Sequence, residues 1–368
     1  MGLLRLLLAF AVLAGHTGVL DFEILPGPVA VRAFFLLSGF TMALVLETRY
    51  AGLPRRSFYL SRLLRLAPAY AVVLALSLAA MLALDSHPFL RRDTLLGLVL
   101  ADVRTLAAWL WTNLAVFGQE AMYWLRVAPG GALAWSPGPV AASAKAYTLL
   151  LVPQAWSLSL EFCFYLAAPW IFSRGPRLVG GLLLASLALH VGLDRAFPQL
   201  DPVWQRILPT QLYLFLAGYF SHAIYARLRD TPRARFLGHG LLLLLALFGA
   251  LYEILSGPMR FAVFQCLLCL ALPVVFLAFR NNPLDRFLGR LSYPFYLVHF
   301  LVIGVFEDRL GEAGPLALVG LVLAGALALH LGVEVPFERV RRRLVARGAA
   351  HGRSASPDGP GLAPQPSA

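Results

Sequence analysis

Eleven apolar runs divide this chain, at about residues 2–20, 28–46, 63–84, 94–118, 156–173, 177–193, 207–225, 237–255, 259–279, 288–306 and 314–335. Most reach the roughly 20 residues that an α-helix needs to cross a ~30 Å hydrocarbon layer. Within lipid a backbone must satisfy its own N–H and C=O groups, and a helix does so segment by segment. Only 14% of the 368 residues are charged and 59% are hydrophobic, where a soluble domain carries about a quarter charged. The expected fold is therefore all-α, a polytopic transmembrane helical bundle.

Loop charge sets how many runs cross. Arg49, Arg55, Arg56 and Arg62 fall in the loop at 47–62, Arg227, Arg229, Arg233 and Arg235 in that at 226–236, and Arg339, Arg341, Arg342 and Arg343 in the tail. The positive-inside rule puts all three clusters in the cytoplasm. Two loops on one side are separated by an even number of crossings, yet five apolar runs intervene. The run at 94–118 follows Arg91, Arg92 and Asp93, contains Asp102 and Arg104, and leads into a Gly- and Pro-rich stretch. It is the segment expected to be re-entrant or to lie on the outer surface, leaving ten spanning helices and both termini cytoplasmic. Residues 85–153 then form the largest extracytoplasmic region. Its Trp109, Trp111, Tyr123, Trp124, Trp135 and Tyr147 suit either an interfacial belt or a stacking surface for a glycan.

The expected division is a transmembrane domain at 1–338 and a basic, then disordered, cytoplasmic tail at 339–368, whose last part is Gly, Pro, Ala and Ser without apolar period. No second folded domain is expected after the membrane unit, and the first run reads as a retained helix. A net charge of +12 would suggest nucleic acid for a soluble chain, but here the arginines sit where they orient helices and meet anionic lipid headgroups. No nucleic-acid partner is expected. Cys266 and Cys269 have CxxC spacing with no second pair or His cluster, so packing is the better reading and no metal site is expected.

Ionisable side chains inside apolar runs are costly, which makes them functional candidates. Arg5 and His16 are eleven positions apart in the first run. At about 100° per residue they share a helix face, separated by roughly 16 Å of rise. Snorkelling of Arg5 to the headgroups and simple packing of His16 are the plain alternatives. Arg62 and Arg65, at i and i+3, share a face where the first arginine loop meets its helix, and paired guanidinium groups there suit phosphates or a membrane surface. Glu161, His299 and Arg32 complete the set of candidates.

Arg5 and His16, followed by FFLLSGF at 34–40, FYLSRLLRLAPAY at 58–70, WSLSLEFCFY at 156–165 and LSYPFYLVH at 291–299, resemble in order the motifs of the membrane-bound acyltransferase 3 family. The likeness runs from residue 5 to about 338. It implies an enzyme, an O-acyltransferase that moves an acyl group, expected to be acetyl, from acyl-CoA to a hydroxyl of a cell-surface carbohydrate, lipid-linked or polymeric. It supports His16 as general base, Arg5 as electrostatic support and Glu161 as an active-site carboxylate. Glu161, expected near the outer face, can orient a histidine, hydrogen-bond a sugar or pair with an arginine. Arg62 and Arg65 are expected to hold the phosphates of acyl-CoA, with acetyl-CoA as donor substrate and no tightly bound cofactor. For His299 a substrate-binding role and helix packing both stay open. Many relatives carry a carboxylate or small residue where Arg32 stands, so Arg32 is expected to meet an anionic acceptor or acyl group. Acylation of a small molecule such as a macrolide, or carbohydrate export without transfer, are the alternatives. The expected location is the bacterial inner (plasma) membrane.

Overall fold

The computed structural model describes residues 1–20, 24–136, 138, 145–198, 203–255, 257, 259–309 and 314–354. In chain order the helices are α1 (Gly2–Thr17), α2 (Gly27–Thr48), α3 (Arg55–Leu84), α4 (Arg92–Leu100), α5 (Val103–Ala115), α6 (Trp156–Phe172), α7 (Pro176–Ala196), α8 (Leu208–Leu228), α9 (Pro232–Ala250), α10 (Arg260–Phe279), α11 (Pro283–Arg309), α12 (Pro315–Leu329) and α13 (Val335–Ser354). Among the described residues one short hairpin, β1 (Leu125–Val127) with β2 (Leu133–Trp135), lies between α5 and α6. The fold is all-α, as the apolar runs require.

Among the described residues, seven helices are long and apolar enough to cross a membrane, or eight if the bent α4–α5 pair is one span. The expected ten counts α1 and α9, which are apolar but shorter, and the 21-residue α8, whose interior carries Gln211, Ser221 and His222. All three pack within the bundle. No break separates 338 from 339, because α13 carries the chain as a helix to Ser354; the end of the expected disordered tail, 355–368, lies outside the described residues.

Two contacts fix the frame that holds the ionisable residues. At one end Asp285 of α11 accepts hydrogen bonds from the backbone N–H groups of Gly2 and Leu3 (2.8 and 2.9 Å) and from the Met1 ammonium (2.8 Å). A carboxylate there satisfies donors that the first turn of a helix cannot, so α1 is held against α11. In the middle, α2 crosses α8 backbone to backbone: a Cβ on Gly39 would stand 1.8 Å from the Phe215 carbonyl oxygen, and one on Gly218 2.2 Å from that of Leu36. Small residues let helices approach this closely in a bilayer. The stacked rings of Phe35, Phe215 and Phe164, with centroids 4.8 and 4.2 Å apart, fill the space beside the crossing.

Further along, Phe40 meets Tyr225 (5.9 Å) and Glu47 meets His222 (3.7 Å), so α2 and α8 run parallel. Their carboxyl ends, and with them Arg49 and Arg227, share one end of the bundle. An even number of crossings separates such ends, and α3, α6, α7 and α8 supply four. The α4–α5 pair adds no fifth: it is bent by 117°, and its halves of 9 and 13 residues are roughly 14 and 20 Å long.

Candidate active site

Three cavities lie in succession through the bundle and share walls. The first, an arginine vestibule of about 450 Å³, is lined by Arg65, Arg290, Arg339, Arg341 and Arg342 together with Tyr293, His330, Glu334 and Glu338. Glu338 pairs with Arg341 (2.5 Å) and Arg342 (2.9 Å), and His330 Nδ1 lies 2.6 Å from Glu334 across a π-turn at His330–Glu334. Five guanidinium groups thus face two carboxylates, and the vestibule suits a polyanion.

Arg65 and Tyr293 also line the second cavity, a narrow chamber of about 80 Å³ that holds Arg5, Arg62, Ser38, Thr41, Glu161, Tyr165 and Tyr296. Arg5 Nη2 donates to Thr41 Oγ1 (3.0 Å). Glu161 accepts short hydrogen bonds from Ser38 and from Tyr165, one turn on along α6. Arg62 is 3% exposed and sits beside the rings of Tyr50 and Phe58 (6.0 and 5.7 Å). The Nε atoms of Arg5 and Arg62 are buried and lack a hydrogen-bond partner among the described residues. Three guanidinium groups around one carboxylate give a positive chamber in a medium where charge is weakly screened.

Val31 and Tyr296 join that chamber to a third of about 540 Å³, lined by His16, Arg32, Phe89, Tyr123, Lys145, Tyr147, Gln154, Trp156, Arg206 and Phe300, among others. His16 stands against Phe300 (ring centroids 4.7 Å) and stacks on His299 (5.7 Å, 18° between planes). His299 is 1% exposed, its Nδ1 lies 2.5 Å from the Tyr296 carbonyl oxygen, and its Nε2 is buried without a partner among the described residues. A carbonyl only accepts, so Nδ1 carries the proton and Nε2 is a free acceptor. Tyr296 is itself tied down, its hydroxyl lying 2.8 Å from Ser157 Oγ and donating to the Gln154 carbonyl (2.9 Å).

The expected site residues are thus gathered, but at two depths. Arg5, Arg62, Arg65 and Glu161 share the narrow chamber, whereas His16 and Arg32 line the aromatic one. His299 touches His16 from behind. Glu161 is not near the aromatic end, as its early place in an apolar run suggested; its partners are Ser38 and Tyr165, not a histidine. Only Arg65 of the α3 pair reaches the vestibule, while Arg62 is turned inward. Of the tryptophans and tyrosines in the 85–153 region, Tyr123 and Tyr147 stack (4.6 Å) and line the cavity, Trp111 and Trp135 are exposed, and Trp109 donates to the Leu149 carbonyl (2.6 Å). Arg206, Arg290, Tyr293 and Tyr296 line the path and were not singled out from sequence. Arg206 and Arg290 look like ordinary flanking arginines there, and only the resemblance of 291–299 pointed at the tyrosines.

A many-helix membrane bundle with charged internal cavities that share walls defines an integral membrane protein. The family model described as an acyltransferase domain matches residues 1–333. The chain belongs to the membrane-bound acyltransferase 3 family and is an acyltransferase, of a kind that transfers groups other than aminoacyl groups. Comparison with curated proteins and with solved structures gives no match.

Proposed function

We propose that this acyltransferase moves an acetyl group from acetyl-CoA to a hydroxyl of a cell-surface carbohydrate, and that donor and acceptor enter from opposite ends. One observation carries the reading: a vestibule rich in arginine, a narrow chamber and an aromatic cavity share walls in that order, with Arg5 and His16 on one helix facing the second and third. The arginine-rich end is cytoplasmic by the positive-inside rule, with both termini on that side, and the bacterial inner membrane is the fitting location. Acyl-CoA is made in the cytoplasm. Its phosphates pair with the vestibule guanidiniums, Arg65 included, while its slender acylated arm extends past Arg5 and Arg62 into the narrow chamber.

A rise of roughly 16 Å between Arg5 and His16 means that no single reacting centre touches both. Arg5, Arg62 and the Ser38–Glu161–Tyr165 cluster therefore hold the donor arm, and His16 is the general base. It takes the proton of the acceptor hydroxyl, whose oxygen attacks the thioester carbonyl. The tetrahedral oxyanion collapses, the C–S bond breaks, and the CoA thiolate takes up a proton and leaves as the thiol. His299, stacked behind His16, holds the imidazole of the base in place, and Arg32 binds the acceptor. The pathway needs no tightly bound cofactor. The narrow chamber admits an acyl arm more readily than a sugar, which favours transfer over export.

Mass spectrometry of surface glycans and secreted metabolites, compared between cells carrying the intact protein and cells carrying His16→Ala at matched membrane abundance, tests the reading. Loss of one acetyl unit from a glycan supports it. Loss of an acyl group from a secreted small molecule instead points to the macrolide-type alternative, and loss of the whole glycan to export.

A further inference from the structure

Among the described residues that line the aromatic chamber, cationic side chains outnumber carboxylates. Arg206, at the end of a single-turn segment at Val203–Arg206, lies against the rings of Tyr123 (4.0 Å) and Trp156 (4.7 Å). Stacking uses the faces of a guanidinium and leaves its edge N–H donors. Among the described residues no carboxylate within 4.0 Å and no hydrogen bond engages them. Lys145 faces the same cavity; its ammonium donates to the carbonyls of Ser136 (3.0 Å) and Gly138 (2.8 Å), which leaves one of its three donors. Arg32 lines the wall beyond, over Phe261 (4.7 Å), and among the described lining residues Glu307 is the one carboxylate. Tyr147 and Arg206 cover the two faces of Tyr123, so the flat apolar surface left beside these cations for a sugar ring is that of Tyr147 and Trp156, which line the same cavity.

We infer that the acceptor carries a negative charge: the aromatic chamber is a site for a carboxylate- or phosphate-bearing sugar unit, its anion on Arg206 and Lys145 and its ring on Tyr147 and Trp156. The inference rests on the acceptor side of the function proposed above. It excludes an amine-bearing macrolide as the preferred acceptor, because a protonated amine is repelled by Arg206 and Lys145.

Binding and transfer are measured separately on the full-length protein in lipid nanodiscs. The probes are a galacturonate tetramer, the same tetramer with every carboxylate methyl-esterified, and a hexose 6-phosphate; thiol release from acetyl-CoA with each probe reports transfer. At low salt the charged tetramer or the hexose phosphate binds at least tenfold tighter than the esterified tetramer, and the preference shrinks as salt rises. Arg206→Gln removes most of the preference and Arg206→Lys keeps much of it, which separates loss of charge from loss of fold. The better of the two charged probes identifies the anion as carboxylate or phosphate. Equal or tighter binding of the neutral ester, or a preference untouched by Arg206→Gln, overturns the inference and leaves acyl transfer standing. A charge preference that depends on Arg206 with no thiol release on any probe supports the site and overturns the transfer reading instead.

Discussion

Arg5 and His16 share one face of α1 yet open into different cavities, Arg5 into the narrow chamber and His16 into the aromatic one. In the proposed reaction, a helix that spans both depths carries a donor-side cation and an acceptor-side imidazole on one rigid rod. The division of labour follows from that geometry, and variants at the two residues separate it.

In the proposed mechanism His16→Ala removes the general base without touching the vestibule or the narrow chamber. Turnover is expected to fall by about 10²- to 10⁴-fold, with acyl-CoA affinity within about twofold of the intact protein. Arg5→Ala has the opposite signature, with acyl-CoA binding weakened first. Calorimetric titration of acyl-CoA alongside thiol-release kinetics reads both, and a His16→Ala protein that binds acyl-CoA poorly contradicts the division.

Glu161 is the one carboxylate facing three guanidiniums in the narrow chamber, held by Ser38 and Tyr165. Hydrogen bonds to a charged group contribute about 1.5–3 kcal/mol, so Glu161→Gln is expected to cost roughly tenfold or more in kcat/KM for the donor. Ser38→Ala and Tyr165→Phe each remove one of the two bonds and cost less. Kinetics showing Ser38→Ala as damaging as Glu161→Gln would point to a separate role for the hydroxyl.

Much of this was legible in the sequence, for identifiable reasons. The apolar runs and arginine loops depend on transfer from water to lipid, which acts on each segment alone, so helix identity and the odd behaviour of 94–118 could be read directly. Arg5 and His16 stood out because charge is rare in such runs. Depth was less legible. Glu161 was assigned to the outer face from its place in the chain, but helix packing sets it beside Ser38 instead. Arg206 owes its place to the rings of Tyr123 and Trp156, which come from distant segments, and nothing local marks it.

The α2–α8 crossing leaves no room for a side chain at Gly39 or Gly218. Gly39→Ala or Gly218→Ala forces the backbones apart and is expected to destabilise by about 1–3 kcal/mol. Thermal unfolding in detergent, followed by fluorescence, should show a lowered transition, with Gly240→Ala, where a Cβ meets open space, as the unaffected control.

Parallel α2 and α8 require Arg49 and Arg229 at one end of the bundle. Single cysteines at Arg49 and Arg229 are expected to react with a membrane-impermeant maleimide from the cytoplasmic side, and one at Trp135, in the hairpin, from the other. Labelling of Arg49→Cys and Arg229→Cys from opposite sides would make α4–α5 a crossing.

The most direct test reconstitutes the full-length protein in liposomes with radiolabelled acetyl-CoA confined to the arginine-rich side and acceptor glycan confined to the other. The account predicts label on the glycan, free thiol on the donor side, and neither product with His16→Ala. Transfer that occurs only when donor and acceptor share a compartment would contradict it.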